Sequence, residues 1–75
     1  MSNPLHNAVR VLYTNGQVIT LRFGSLRTTQ RQFANLEWWL DYYSESSSYF
    51  LTINTIDGRI RLKVGKDILA IQQVN

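Results

Sequence analysis

Two dipeptides that favour tight turns, Asn15-Gly16 and Asp57-Gly58, constrain the fold of this chain more than any other feature. Each lies between two runs rich in β-branched and aromatic residues, which is the pattern of a β-hairpin. The first pair of runs covers residues 9–13 and 18–23, and the second covers residues 49–56 and 59–64. The sequence therefore predicts two hairpins, one on each side of a central segment.

The register of the first hairpin follows from the requirement that one face of the ribbon be apolar. A two-residue loop would place Arg10 opposite Leu21 and mix charged with apolar side chains. A three-residue loop, residues 14–16, pairs Val9 with Leu21, and Gly16 supplies the left-handed conformation that this loop needs. The predicted apolar face contains Val9, Val11, Tyr13, Ile19, Leu21 and Phe23.

The second hairpin is predicted to turn at Asp57-Gly58, which pairs Thr55 with Ile60. Residues 59–64 alternate between basic and apolar side chains, as in a half-buried strand. The predicted apolar face contains Leu51, Ile53, Thr55, Ile60, Leu62 and Val64. A turn at residues 65–67 then leads to a fifth strand, residues 68–74, whose facing stays open because loops of two and three residues give opposite answers.

The central segment, residues 25–43, contains neither glycine nor proline and predicts a helix. Ser25 or Thr29 is expected to cap its start. One stripe, expected to pack on the apolar sheet face, contains Leu26, Thr29, Phe33, Leu36, Leu40 and Tyr43, with Trp39 at its edge. The predicted fold is α+β in the order β-β-α-β-β-β, an antiparallel sheet with one helix on one face. Residues 1–7 are expected to form a flexible tail, and residues 8–75 a single domain.

Composition excludes several classes of protein. A chain of 75 residues that is 44% hydrophobic is too short for two cores and too apolar for a disordered segment. It has no cysteine and one histidine, His6, so we expect no catalytic triad, no metal site, no cofactor and no enzyme activity. Its first residues lack the pattern of a signal peptide, and no apolar run has the length of a membrane span, which together predict a cytoplasmic protein.

The open face of the sheet is the first candidate binding surface. One helix covers only one face, so the other face must meet water or a partner. In the chosen registers five of the eight basic residues point to this face, and no Asp or Glu occupies an outward strand position. Guanidinium groups pair with phosphate oxygens, and an aromatic ring stacks on bases. We therefore expect nucleic-acid binding here by Arg10, Arg22, Arg59, Arg61, Lys63 and Phe50. The alternative is that these charges only keep an exposed sheet soluble.

The outer side of the helix is the second candidate surface. Trp38 and Tyr42 fall opposite the core stripe, near Arg27 and Arg31. Trp, Tyr and Arg are the residue types that dominate interface energetics, and large exposed aromatics mark contact sites. The alternative function is therefore a protein-interaction module, either a homodimer or a small regulator of another protein. The alternative explanation is that Trp38 folds over the helix flank or packs under the serine-rich loop or the N-terminal tail.

Glu37, Asp41 and Glu45 repeat at four-residue spacing on the helix flank. We interpret them as a solvated acidic stripe, because no further ligand is placed to complete a cation site. They lie toward the helix C-terminus, where the macrodipole disfavours negative charge.

Overall fold

A computed structural model describes residues 7–46 and 49–74. The elements of these residues follow the predicted order, β-β-α-β-β-β, and form an α+β fold. They are β1 (Ala8–Tyr13), β2 (Val18–Arg22), α1 (Leu26–Tyr42), β3 (Tyr49–Thr55), β4 (Gly58–Val64) and β5 (Ile68–Val74). The proposed N-terminal tail lies outside the described residues except for Asn7, whose carbonyl oxygen accepts a hydrogen bond from the Phe23 N–H at 2.9 Å.

The five strands form two antiparallel sheets, where the sequence suggested one. Strand β1 lies between β2 and β5 in a three-stranded sheet, and β3 pairs with β4 in a two-stranded ribbon. The Ile56 N–H donates to the Arg22 carbonyl at 3.0 Å, and the Tyr13 hydroxyl donates to the Lys63 carbonyl at 2.6 Å. These hydrogen bonds join the ribbon to the larger sheet, and β3 and β4 share a core with it.

The predicted register of the first hairpin is confirmed. Val9 pairs with Leu21, and Val11 pairs with Ile19. The Tyr13 N–H donates to the Gln17 carbonyl at 2.9 Å and closes the three-residue loop. Within that loop Gly16 has a φ of 89°, the left-handed conformation that the loop requires.

The predicted register of the second hairpin is wrong by two residues. Thr55 pairs with Gly58, so the turn residues are Ile56 and Asp57. Gly58 takes a φ of 107° after the turn, and the Thr55 Oγ1 accepts a hydrogen bond from the Asp57 N–H at 3.0 Å. This hydrogen bond to the Thr55 side chain stabilises the observed turn, which forms in place of the predicted Asp57-Gly58 turn. Since side chains alternate with a period of two, the shift leaves every side chain on its predicted face.

The helix begins at the first of the two candidate caps. The Ser25 Oγ accepts a hydrogen bond from the Thr28 N–H at 3.1 Å. Thr29 is instead fully buried in the core stripe, and its hydroxyl donates to the Ser25 carbonyl at 2.8 Å. Leu26, predicted to belong to that stripe, is 44% exposed, because core packing starts one turn later at Thr29.

One core joins both sheets and the helix. Its buried apolar members come from β1, β2, α1, β3 and β4, and from Phe23, which follows β2. They are Val9, Val11, Tyr13, Leu21, Phe23, Leu36, Ile53, Leu62 and Val64. Every one of them belongs to a predicted apolar face or to the helix stripe. The alternation of the sequence therefore determined correctly which side of each ribbon is buried.

A β-bulge settles the facing of β5. The pairing of β1 with β5 shifts register between Leu12 and Tyr13. As a result, Ile68 and Ile71 both pack against the core although they are three residues apart, while Leu69 is 64% exposed. In a regular strand these two isoleucines would lie on opposite faces. Because of the bulge, β5 combines the two facings that the sequence left open.

The turn between β4 and β5 provides a test of how tightly the segment after the helix is held. The Lys66 N–H donates to the Ser46 carbonyl at 3.0 Å, and a Cβ on Gly65, whose φ is 150°, would clash with that oxygen. We expect Gly65→Ala to lower the free energy of unfolding by about 2–4 kcal/mol. Gly16→Ala, the matched control with positive φ and free space around it, should cost roughly 1–2 kcal/mol. Urea unfolding measures both, and equal costs would contradict the close packing at Ser46.

Candidate functional site

The outer side of the β3–β4 ribbon carries a row of cations. The cross-strand pairs are Phe50 with Lys63, Thr52 with Arg61, and Asn54 with Arg59. We call these six residues the ribbon face. Each pair has an uncharged residue on β3 and a basic residue on β4, because β4 alternates basic and apolar side chains. All six are exposed except Lys63, which is half-buried. The row follows directly from the sequence pattern.

An aromatic platform lies at one end of the ribbon face. The guanidinium carbon of Arg61 lies 4.1 Å from the centroid of the Phe50 ring. The two residues are diagonal neighbours across the ribbon, within reach of long side chains. This cation–π contact places the guanidinium group over the ring, while Phe50 itself stays 41% exposed. The site therefore combines a cation with a partly accessible aromatic surface.

Two turn carboxylates neutralise part of the basic surface. The Arg22 Nε donates to Asp57 Oδ2 at 2.9 Å, and the Arg22 Nη2 donates to Asp57 Oδ1. The Lys63 Nζ lies 2.9 Å from Asp67 Oδ2. These hydrogen bonds to basic groups lower the pKa of Asp57 and of Asp67. Sequence reasoning missed both carboxylates because it considered strand positions only, although the i,i+4 spacing of Lys63 and Asp67 was visible.

The five basic residues predicted to share one surface are divided between the two sheets. Arg59, Arg61 and Lys63 lie on the ribbon face with Phe50, and Arg22 is paired with a turn carboxylate where the sheets meet. Arg10 lies on the three-stranded sheet and lines a separate small groove of about 120 Å³. The expectation of one continuous basic face depended on a single sheet, and the two-sheet arrangement replaces it.

A cleft adjoins the ribbon face. It has a volume of about 420 Å³ and lies between the ribbon and the loop of the first hairpin. Phe50, Arg61 and Lys63 form its ribbon side, and Asn15 and Gln17 are among the residues of its hairpin side. The cleft thus places amide groups opposite the aromatic platform, which extends the candidate site beyond the residues that the sequence indicated.

The residues of the second predicted surface are exposed on the helix. Trp38 is 57% exposed and Tyr42 is 65% exposed, and their rings stack with centroids 5.2 Å apart. Arg27 and Arg31 are exposed on the same helix. Trp38 packs on Tyr42 and Trp39 of its own helix, which is the flank packing that the sequence allowed, and it still stays more than half exposed. Most of the N-terminal tail and residues 47–48 of the serine-rich loop, under which it could also pack, lie outside the described residues.

Further aromatic residues tie the end of the helix to β3. Trp39 stacks on Tyr43 with centroids 5.4 Å apart, and Tyr43 stacks on Tyr49 at 3.8 Å. A hydrogen bond with Tyr49 raises the pKa of Tyr43 to about 12. This stack packs α1 against β3, and Trp38 and Tyr42 contact it while staying more than half exposed.

Two further features concern the part of the chain that the structure describes. No group of three or more His, Cys, Asp or Glu side chains there is arranged to hold a metal ion. Within the same residues, no helix has both the length and the apolar character to cross a membrane.

No family model matches this chain, and no curated protein or solved structure shows significant similarity to it. The function must therefore be argued from the chemistry of the surfaces described above.

The pairing of Arg22 with Asp57 predicts a specific acid sensitivity. Because Arg22 lowers the pKa of Asp57 in the folded protein, the pair stabilises the fold above the ordinary aspartate pKa of about 3.9. That contribution is lost as the pH falls through the lowered value. Asp57→Asn should therefore have a lower urea midpoint than the wild type at neutral pH. In acid, the difference between the two midpoints should become smaller. An unchanged difference between the two proteins across this pH range would contradict the ion pair.

Proposed function

We propose that this protein binds single-stranded nucleic acid through the ribbon face and the adjoining cleft. The observation that carries the proposal is the Arg61 guanidinium stacked on an exposed Phe50 ring within a row of cations. Binding needs only these cations, the ring and nearby amides, so the proposal includes no catalytic step. We place this activity in the cytoplasm, as the sequence analysis expects.

The cation row suits an extended phosphate backbone. Alternate residues of a strand lie about 6.6 Å apart, comparable with the spacing of phosphates along an extended single strand. Arg59 and Arg61 have no ion-pair partner among the described residues, so their donors are available to phosphate oxygens. Lys63 shares its charge with Asp67 and contributes less. The arginine guanidinium contributes most because it pairs with phosphate bidentately.

The platform and its neighbours suit unpaired bases. A base can stack on Phe50 or on the plane of Arg61, and aromatic stacking tolerates any base. Thr52 and Asn54 lie on the neighbouring strand, opposite Arg61 and Arg59, and offer donors and acceptors to base edges. The cleft volume lies within the range of small-ligand sites, which leaves room for one nucleotide beside the ring. Paired bases in a duplex present no such stacking surface, so single strands are favoured.

Fluorescence anisotropy with a labelled single-stranded oligonucleotide tests this proposal. With three cations in contact, the logarithm of affinity should fall against the logarithm of salt concentration with a slope of about −2. Phe50→Ala should weaken binding by about 1–3 kcal/mol through loss of stacking. A duplex of the same sequence should bind more weakly. Absence of micromolar binding at low salt, or a preference for the duplex, would overturn the proposal.

Matched charge variants separate a defined site from general attraction. Arg61→Gln should weaken binding more than Arg10→Gln, which removes the same charge from the other sheet. Asp67→Asn should strengthen binding, since it releases Lys63 beside the cleft. Glu37→Gln makes the same change in net charge on the helix and should have a smaller effect. Equal effects within each pair of variants would show that only net charge matters and would contradict the assigned site.

A further inference from the structure

The outer side of α1 has the spacing of a helix–helix contact. Arg27, Arg31, Ala34, Trp38 and Asp41 succeed one another at alternating intervals of four and three residues along α1. Glu45 follows four residues after Asp41, in the turn beyond the end of the helix. This interval pattern keeps side chains on one line along a helix, as at the a and d positions of a coiled coil. We call these six residues the outer stripe. All six are exposed.

The charges of the outer stripe oppose the helix dipole. Its basic residues lie in the N-terminal half of α1, and its acidic residues lie at the C-terminal end, where each sign is disfavoured. None of the four charged residues has an ion-pair partner within residues 7–46 and 49–74. The isolated chain gains no stability from this arrangement. A partner whose charges run in the opposite direction would compensate it.

An antiparallel copy of the same helix supplies that opposite polarity. In antiparallel packing, a positions meet d positions, so Ala34 faces the partner subunit's Trp38. The same alignment brings Arg31 to the partner subunit's Asp41. It also brings Arg27 toward the turn after the partner's helix, where the partner subunit's Glu45 lies. Each layer then combines opposite charges or a large side chain with a small one. Because the contact is two-fold symmetric, every layer occurs twice.

Trp38 is held in place for such a contact before any partner arrives. Its ring stacks on Tyr42 at an interplanar angle of 9° and meets the edge of Trp39 at 4.8 Å. A side chain that is already ordered loses less entropy when it is buried in an interface. Trp is also among the residue types enriched at the centre of interfaces.

We propose that a second copy of this chain docks antiparallel on the outer stripe, with Trp38 and Ala34 at the centre and ion pairs at both ends. The outer stripe and the ribbon face share no residue, so dimerisation and nucleic-acid binding fail or succeed independently.

Two charge-reversal variants test the alignment by sedimentation velocity. Arg27→Glu/Arg31→Glu and Asp41→Arg/Glu45→Arg should each weaken self-association on the order of a hundredfold, because like charges then meet in the dimer. An equimolar mixture should form a heterodimer, because every reversed pair is again opposite in sign. Both variants improve the match to the helix dipole, so circular dichroism should show the monomer fold intact. Trp38→Ala should also weaken self-association, with loss of a fluorescence shift on dilution.

Each other outcome would overturn the proposal. A wild-type protein that remains monomeric at high concentration has no such interface. A dimer that both charge variants retain uses a different surface, for example the edge strand β5. Variants that are each monomeric but do not associate when mixed would exclude the antiparallel alignment and leave the helix surface to a different protein.

Discussion

The alternation of side chains along the two β-ribbons is the constraint on which the rest of this structure depends. Val11 and Ile53 turn inward from separate sheets and meet in one core, which leaves the strand cations outside. A shift of two residues in the second hairpin preserves this division, whereas a slip of one residue would place Arg61 inside. A buried charge without a partner costs several kcal/mol, so the core and the candidate site are positioned by the same requirement.

The turns decide how much positive charge the ribbon face presents. Asp57 and Asp67 lie in the turns that border β4, and each engages a neighbouring cation. Arg59 and Arg61 lie between these borders without an acidic partner among the described residues. The Tyr13 hydroxyl, on the larger sheet, also donates to the Lys63 carbonyl on the ribbon, which joins the two sides of the cleft. The proposed contact with nucleic acid is therefore short and bounded at both ends.

The inner side of α1 packs in the core, whereas the charges on its outer side are unfavourable in the field of the helix dipole. Its inner stripe supplies Thr29 and Leu36 to the packed interior. Its outer stripe places charges against the dipole and leaves Trp38 in solvent. Local preference and global fold agree nearly everywhere else in the chain, and departures from that agreement are expected where a protein contacts something else. The inner side of α1 therefore stabilises the fold, whereas the outer side is the one that we propose for contact with a second copy.

The sequence by itself determined the order of the elements, the buried side of each ribbon, the first hairpin register and the helix stripe from Thr29 onward. These depend on turn chemistry and on periods of 2 and 3.6 residues, which act between neighbours along the chain. Only the tertiary structure decided that β3 and β4 leave the larger sheet, that a bulge turns both Ile68 and Ile71 inward, and that Arg22 meets Asp57. Those outcomes depend on how sheets are placed and on contacts between residues far apart along the chain, such as Arg22 and Asp57, which are 35 positions apart, and no local pattern encodes them.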